Sequence, residues 1–125
     1  MSQILEPAVD EKETCIISGT LKAADNAIIP LANVNTAKCW LYNLADGAAI
    51  NSRTAQDIKG INGGSIDTNG IFKLVLDGDD NKIVDTTFEI EDHVLDLEFV
   101  TQGTTPIQTI REQYIISVRN LTKIT

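Results

Sequence analysis

Two runs of alternating residues near the C-terminus constrain this chain most. The first is residues 93–100 (HVLDLEFV); the second is residues 113–121 (QYIISVRNL). In each, apolar side chains recur at every second position, which is the period of a half-buried β-strand and not of a helix. Leu95, Leu97 and Phe99 share one face of the first run, and Tyr114, Ile116 and Val118 share one face of the second. Between them Gly103 and Pro106 mark a loop. Two such strands joined by a loop pair antiparallel, so the chain belongs to the all-β class.

The rest of the sequence repeats this logic. Residues 14–22 read as a strand with Cys15, Ile17, Gly19 and Leu21 on one side. Residues 23–35 form a loop with a short extended piece at 27–29. Residues 36–44 form a second strand; neither of its faces is strongly polar, which predicts a central strand covered on both sides. Asp46-Gly47 is a reversal signal, followed by a short strand over 48–51. Residues 53–65 read as irregular or weakly helical. Asp67-Thr68-Asn69-Gly70 launches a strand over 71–76 with Phe72, Leu74 and Leu76 on one face, and residues 77–81 (DGDDN) turn the chain again. Residues 82–90, rich in β-branched side chains, read as a strand. The total is about seven strands at sandwich-like spacing. The expected organisation is an N-terminal arm, residues 1–13, followed by one antiparallel β-sandwich over residues 14–125. A chain of 125 residues buries enough surface to fold without a metal or disulfide.

Charge narrows the function. Ten Lys and Arg face eighteen Asp and Glu, a formal net charge of −8. Such a chain repels nucleic acid and anionic lipid, and no apolar run approaches a membrane span. Residues 1–10 lack the basic start and apolar core of a secretory leader, so the expectation is a protein made and kept in a cytosol, or one that leaves it by a route other than the general secretory one. Cys15 and Cys39 fall within strands and form no Cys-x-x-Cys pair, which predicts buried, reduced thiols.

Candidate chemistry is sparse. The loop 77–81 offers alternating oxygen ligands, but Lys82 stands where a calcium loop needs glycine and Phe88 where it needs glutamate. It reads as a solvated hairpin tip. Glu89, Glu91, Asp92, Asp96 and Glu98 surround His93, the only histidine. On a strand Glu91 and His93 face one way and Asp92, Asp96 and Glu98 the other, so they do not converge, and they read as a polar outer face plus a histidine at a strand entrance. Trp40 reads as core. Neither a nucleophile motif nor a phosphate cradle occurs, and no enzyme activity, cofactor or metal is expected. The long, uncharged loop 101–109 is a better candidate for binding than Trp40, set against the plainer reading of a merely tolerated connection.

Three stretches, taken in order, carry a resemblance. They are residues 35–50 (NTAKCWLYNLADGAAI), residues 65–76 (SIDTNGIFKLVL), and residues 91–99 continued by 114–121 (YIISVRNL). The pattern of strand, Asp-Gly turn, strand, Asn-Gly turn, strand and closing hairpin resembles small immunoglobulin-like proteins of tailed-bacteriophage virions. Those decorate or cement heads, or connect head to tail. The resemblance implies an immunoglobulin-like sandwich, made in the host cytoplasm and located in the virion. It implies binding to capsid, portal or tail subunits, with a homo-oligomer in the assembled particle and no nucleic-acid or membrane partner. The expected partner contacts are Ile4, Leu5 and Pro7 of the arm and Thr104, Thr105, Pro106 and Ile107 of the long loop. The rival readings are a tail, baseplate or surface module that recognises carbohydrate or protein, and a small hydrolase using paired acids.

Overall fold

A computed structural model describes residues 2–83, 90–103 and 106–120, with backbone alone for residues 2–9. It is all-β. The strands are β1 (Ser2–Asp10), β2 (Cys15–Thr20), β3 (Val34–Asn43), β4 (Gln56–Asp57), β5 (Gly64–Ile66), β6 (Ile71–Leu76), β7 (Ile90–Thr101) and β8 (Thr109–Arg119). One sheet has the order β1-β8-β7-β3-β4 and the other β2-β6-β5. Packed face to face, they make a β-sandwich.

Side-chain alternation decides which face of each strand turns inward. The large sheet contributes Ala37, Cys39, Leu41, Leu95, Leu97, Phe99, Tyr114, Ile116 and Val118. The small sheet contributes Ile17, Ile66, Phe72, Leu74 and Leu76. Phe72 and Phe99 meet across the interface with ring centroids 5.1 Å apart. The inward sets expected for β6, β7 and β8 are the ones observed.

The turns are built as their residues dictate. Asp67 Oδ1 accepts the N–H groups of Asn69 and Ile71 at 2.8 and 2.9 Å, and Gly70 takes the left-handed conformation, φ +74°, that follows. Asp77 Oδ1 likewise accepts the N–H of Asp79 at 3.0 Å.

Four expectations change. The arm does not stand apart from the sheets: β1 pairs with β8, and in parallel, so the large sheet is not wholly antiparallel. Its ladder shifts register between Leu5 and Val9, the stretch that holds Pro7, a residue with no N–H to give. The strand expected over 48–51 reduces to one bridge between Tyr42 and Ala49, because Asn51 and Ser52 adopt positive φ (54° and 57°) and break the extension. The stretch read as irregular instead supplies β4 and β5. Finally, β3 is central but not covered on both sides: Lys38, Trp40 and Tyr42 remain half-exposed on its outer face. Most of the strand expected over 82–90 lies outside the described residues; Ile90 opens β7.

Candidate functional site

The outer face of the large sheet assembles a site from three strands. Cross-strand register sets Trp40 of β3 beside Asp96 of β7, and Asp96 beside Gln113 of β8. The next row is Lys38, Glu98 and Arg111, and the row on the other side is Tyr42, Val94 and Ile115. Val94 is buried, yet it lies outside the core cluster. Trp40, Tyr42, Asp96, Leu97, Glu98, Arg111, Glu112 and Gln113 line a hollow of ≈ 590 Å³. Trp40, expected in the core, is here a half-exposed wall.

Hydrogen bonds hold these groups in place. Asp96 accepts the Tyr42 hydroxyl at 3.1 Å through Oδ2 and the Gln113 amide at 2.8 Å through Oδ1. Burial, then the Asp96 charge and hydrogen bond, push the Tyr42 phenol above its usual pKa, so Tyr42 stays a neutral donor. Arg111 reaches Glu98 Oε2 from Nε at 3.2 Å and Nη2 at 3.1 Å, while remaining 77% exposed.

A second cluster is internal. Arg53 is 5% exposed and Asp80 fully buried. Arg53 Nε and Nη2 donate to the two Asp80 oxygens at 2.6 and 2.9 Å, a two-pronged ion pair. The remaining Arg53 nitrogen donates to Gln56 Oε1 at 2.7 Å, the Asn62 carbonyl at 3.1 Å and Cys39 Sγ at 3.7 Å. Asn51 Nδ2 and the Asp77 N–H complete Asp80 at 2.8 and 2.9 Å. Burial would raise the Asp80 carboxyl, but the bonds from Arg53, Asn51 and Asp77, with the Arg53 charge, hold it below the ordinary carboxylate range. The 77–81 loop is therefore no solvated tip. It turns a carboxylate and Asn81 inward, and Asn81 Nδ2 donates to the Glu13 carbonyl at 2.6 Å.

Glu91 and His93 share a face, as their parity requires, but that face is the inner one. Both are buried, with His93 Nε2 and Glu91 Oε1 2.6 Å apart. They do not belong to a polar outer surface. Asp92, on the outer side, instead accepts the Ser117 hydroxyl at 2.7 Å. Glu89 lies outside the described residues. Cys15 and Cys39 are both free thiols. Among the described residues no group of three or more His, Cys, Asp or Glu side chains is placed to hold a metal ion.

The expected partner contacts are scattered. Ile4 and Leu5 pair by backbone with Ile115 and Ile116 in the middle of β8; their side chains and that of Pro7 lie outside the description, as do Thr104 and Thr105. Pro106 is exposed, and Ile107, 67% exposed, sits in the turn before β8. The outer-face hollow was not singled out from sequence. Its available signal was the alternation Lys38, Trp40, Tyr42 on one side of one strand. Set against models of known protein families, curated proteins and solved structures, the chain matches none of them.

Proposed function

We propose that this chain is a non-enzymatic immunoglobulin-like binding module that attaches to neighbouring subunits of a tailed-phage virion. Strand order supports the immunoglobulin-like part. The order β2-β6-β5 corresponds to the B-E-D sheet of that fold, and β8-β7-β3-β4 to G-F-C with a C′ strand beside it. The virion setting comes from the sequence resemblance. The internal ion pair supports a scaffold role, because Arg53 and Asp80 are spent on fixed contacts.

The observation that carries the binding reading is β1. A terminal strand of nine residues closes one edge of the large sheet, and among the described residues no strand covers its outer side. Such an edge is a template for a strand of another subunit. Repetition over a symmetric particle multiplies weak contacts into stable attachment.

The test uses an antibody to the purified chain and particles released by cells that carry its coding sequence. The chain co-sediments with intact particles through a density gradient. Its absence from purified particles, while abundant in the same cells, refutes the proposal.

A further inference from the structure

We propose that the outer-face hollow of β3, β7 and β8 is a binding site for a neutral oligosaccharide. Three features of the site point to that ligand class and away from others.

The first is the aromatic pair. Trp40 and Tyr42 stand at alternate positions of one strand, so their Cα atoms lie roughly 7 Å apart and their side chains leave on one face. Both are half-exposed. Aromatic rings present flat apolar surface together with a polar tip, which suits the C–H face and hydroxyl rim of a sugar ring.

The second is the mixture of fixed donors and acceptors. Asp96 is anchored by Tyr42 and Gln113. A carboxylate has about four lone-pair sites, so Asp96 keeps capacity for ligand hydroxyls after those two bonds. Arg111 spends part of its five-donor fork on Glu98 and turns the rest to solvent. The Trp40 indole adds an N–H. A few polar groups set among apolar walls are what orient a small ligand, and placement on strands makes them precise.

The third is charge. Among the charged lining residues Arg111 stands against Asp96, Glu98 and Glu112, and Lys38 in the adjoining row has Asp57 opposite it. This negative balance repels a polyanion, whereas a polyol uses donors and acceptors alike. The volume, ≈ 590 Å³, lies within the roughly 300–1,000 Å³ of small-molecule sites. Its lining comes from three adjacent strands, a floor without a lid, which lets a chain of sugars run past.

Trp40 is the only tryptophan of the protein, so its emission reports on the site directly. The full chain is titrated with cello-, chito-, manno-, malto- and galacto-hexaose to about 10 mM, enough to register a Kd in the millimolar range. Amide resonances are followed in parallel. At least one hexaose shifts Trp40 emission and moves amides of β3, β7 and β8. Arg111→Ala, at a largely exposed position, keeps the fold and weakens binding about three- to tenfold; Trp40→Ala abolishes binding by the amide readout. Silence of the whole panel overturns the proposal. So does capture at the same amides of a heparin hexasaccharide or a Lys-rich peptide in preference to the hexaoses. The titration is independent of particle co-sedimentation, so either proposal can fail alone.

Discussion

Replacing Asp80 by Asn tests the internal framework at its most heavily bonded point. The parent carboxylate accepts bonds from Arg53 Nε at 2.6 Å, Arg53 Nη2 at 2.9 Å, Asn51 Nδ2 at 2.8 Å and the Asp77 N–H at 2.9 Å. Asparagine keeps one acceptor oxygen and turns an amide toward donors. It also leaves the Arg53 guanidinium, 5% exposed, without a counter-charge. Breaking a buried pair from one side costs about 3–5 kcal/mol, against a total stability on the order of 5–15 kcal/mol for a domain. At this chain length that corresponds to a fall in Tm of roughly 10–20 °C. Urea unfolding at pH 7 measures it. The joint replacement Arg53→Met with Asp80→Leu removes both charges and recovers much of the loss. The pH dependence has a definite sign. The folded-state pKa of Asp80 lies below its unfolded value of about 3.9, so its stabilisation is complete above that value and disappears as pH falls toward the folded-state pKa. The gap between parent and Asp80→Asn therefore narrows below about pH 4. An Asp80→Asn chain within about 1 kcal/mol of the parent at pH 7, or a gap that widens in acid, refutes this reasoning.

Gly64→Ala would set a Cβ 1.9 Å from the Ile58 carbonyl oxygen, a backbone atom that must move. The expected loss is about 3 kcal/mol in urea unfolding, with faster amide exchange in β5 and at its partner Leu74. Cys39 is fully buried, and burial, opposed by Arg53, pushes its thiol above the ordinary pKa. Half-exposed Cys15, whose pKa burial also raises, reacts first with a thiol reagent in the native chain; equal native rates contradict the packing described. Ile16 is 58% exposed on the outer face of the small sheet, so Ile16→Thr changes unfolding free energy by less than about 0.5 kcal/mol.

The strands legible in the sequence are those whose inward positions are uniformly apolar. In β6, β7 and β8 alternation names the strand and its buried face together. Strands of two and three residues, such as β4 and β5, are too short to carry a period. β1 carries no clear alternation, and what ties it to β8 is a backbone ladder that any sequence can offer. Arg53 and Asp80 look like surface residues one at a time, because the partner that makes burial tolerable lies 27 positions away. Parity puts Glu91 and His93 on one face, and their polarity points that face outward, yet both are buried. Their mutual contact lets the buried side of β7 continue in polar residues beyond Leu95.

The outer-face site was hidden by a similar ambiguity. In β3 the two faces are Ala37, Cys39, Leu41 and Lys38, Trp40, Tyr42, and hydrophobicity alone favours burying the aromatics. The register with β7 decides otherwise. Cys39 lies opposite Leu97 and Leu41 opposite Leu95, whereas Trp40 lies opposite Asp96 and Lys38 opposite Glu98. Burying Trp40 would carry two carboxylates inward with it and turn Leu95 and Leu97 out, since a slip of one residue inverts every side chain of a strand. At about 25 cal/mol per Å² of apolar surface, plus the cost of unpaired charge, that alternative loses by many kcal/mol. The unambiguous strand thus dictates the face of the ambiguous one. Two aromatics are left on the outside beside fixed polar groups, where they are available to a ligand.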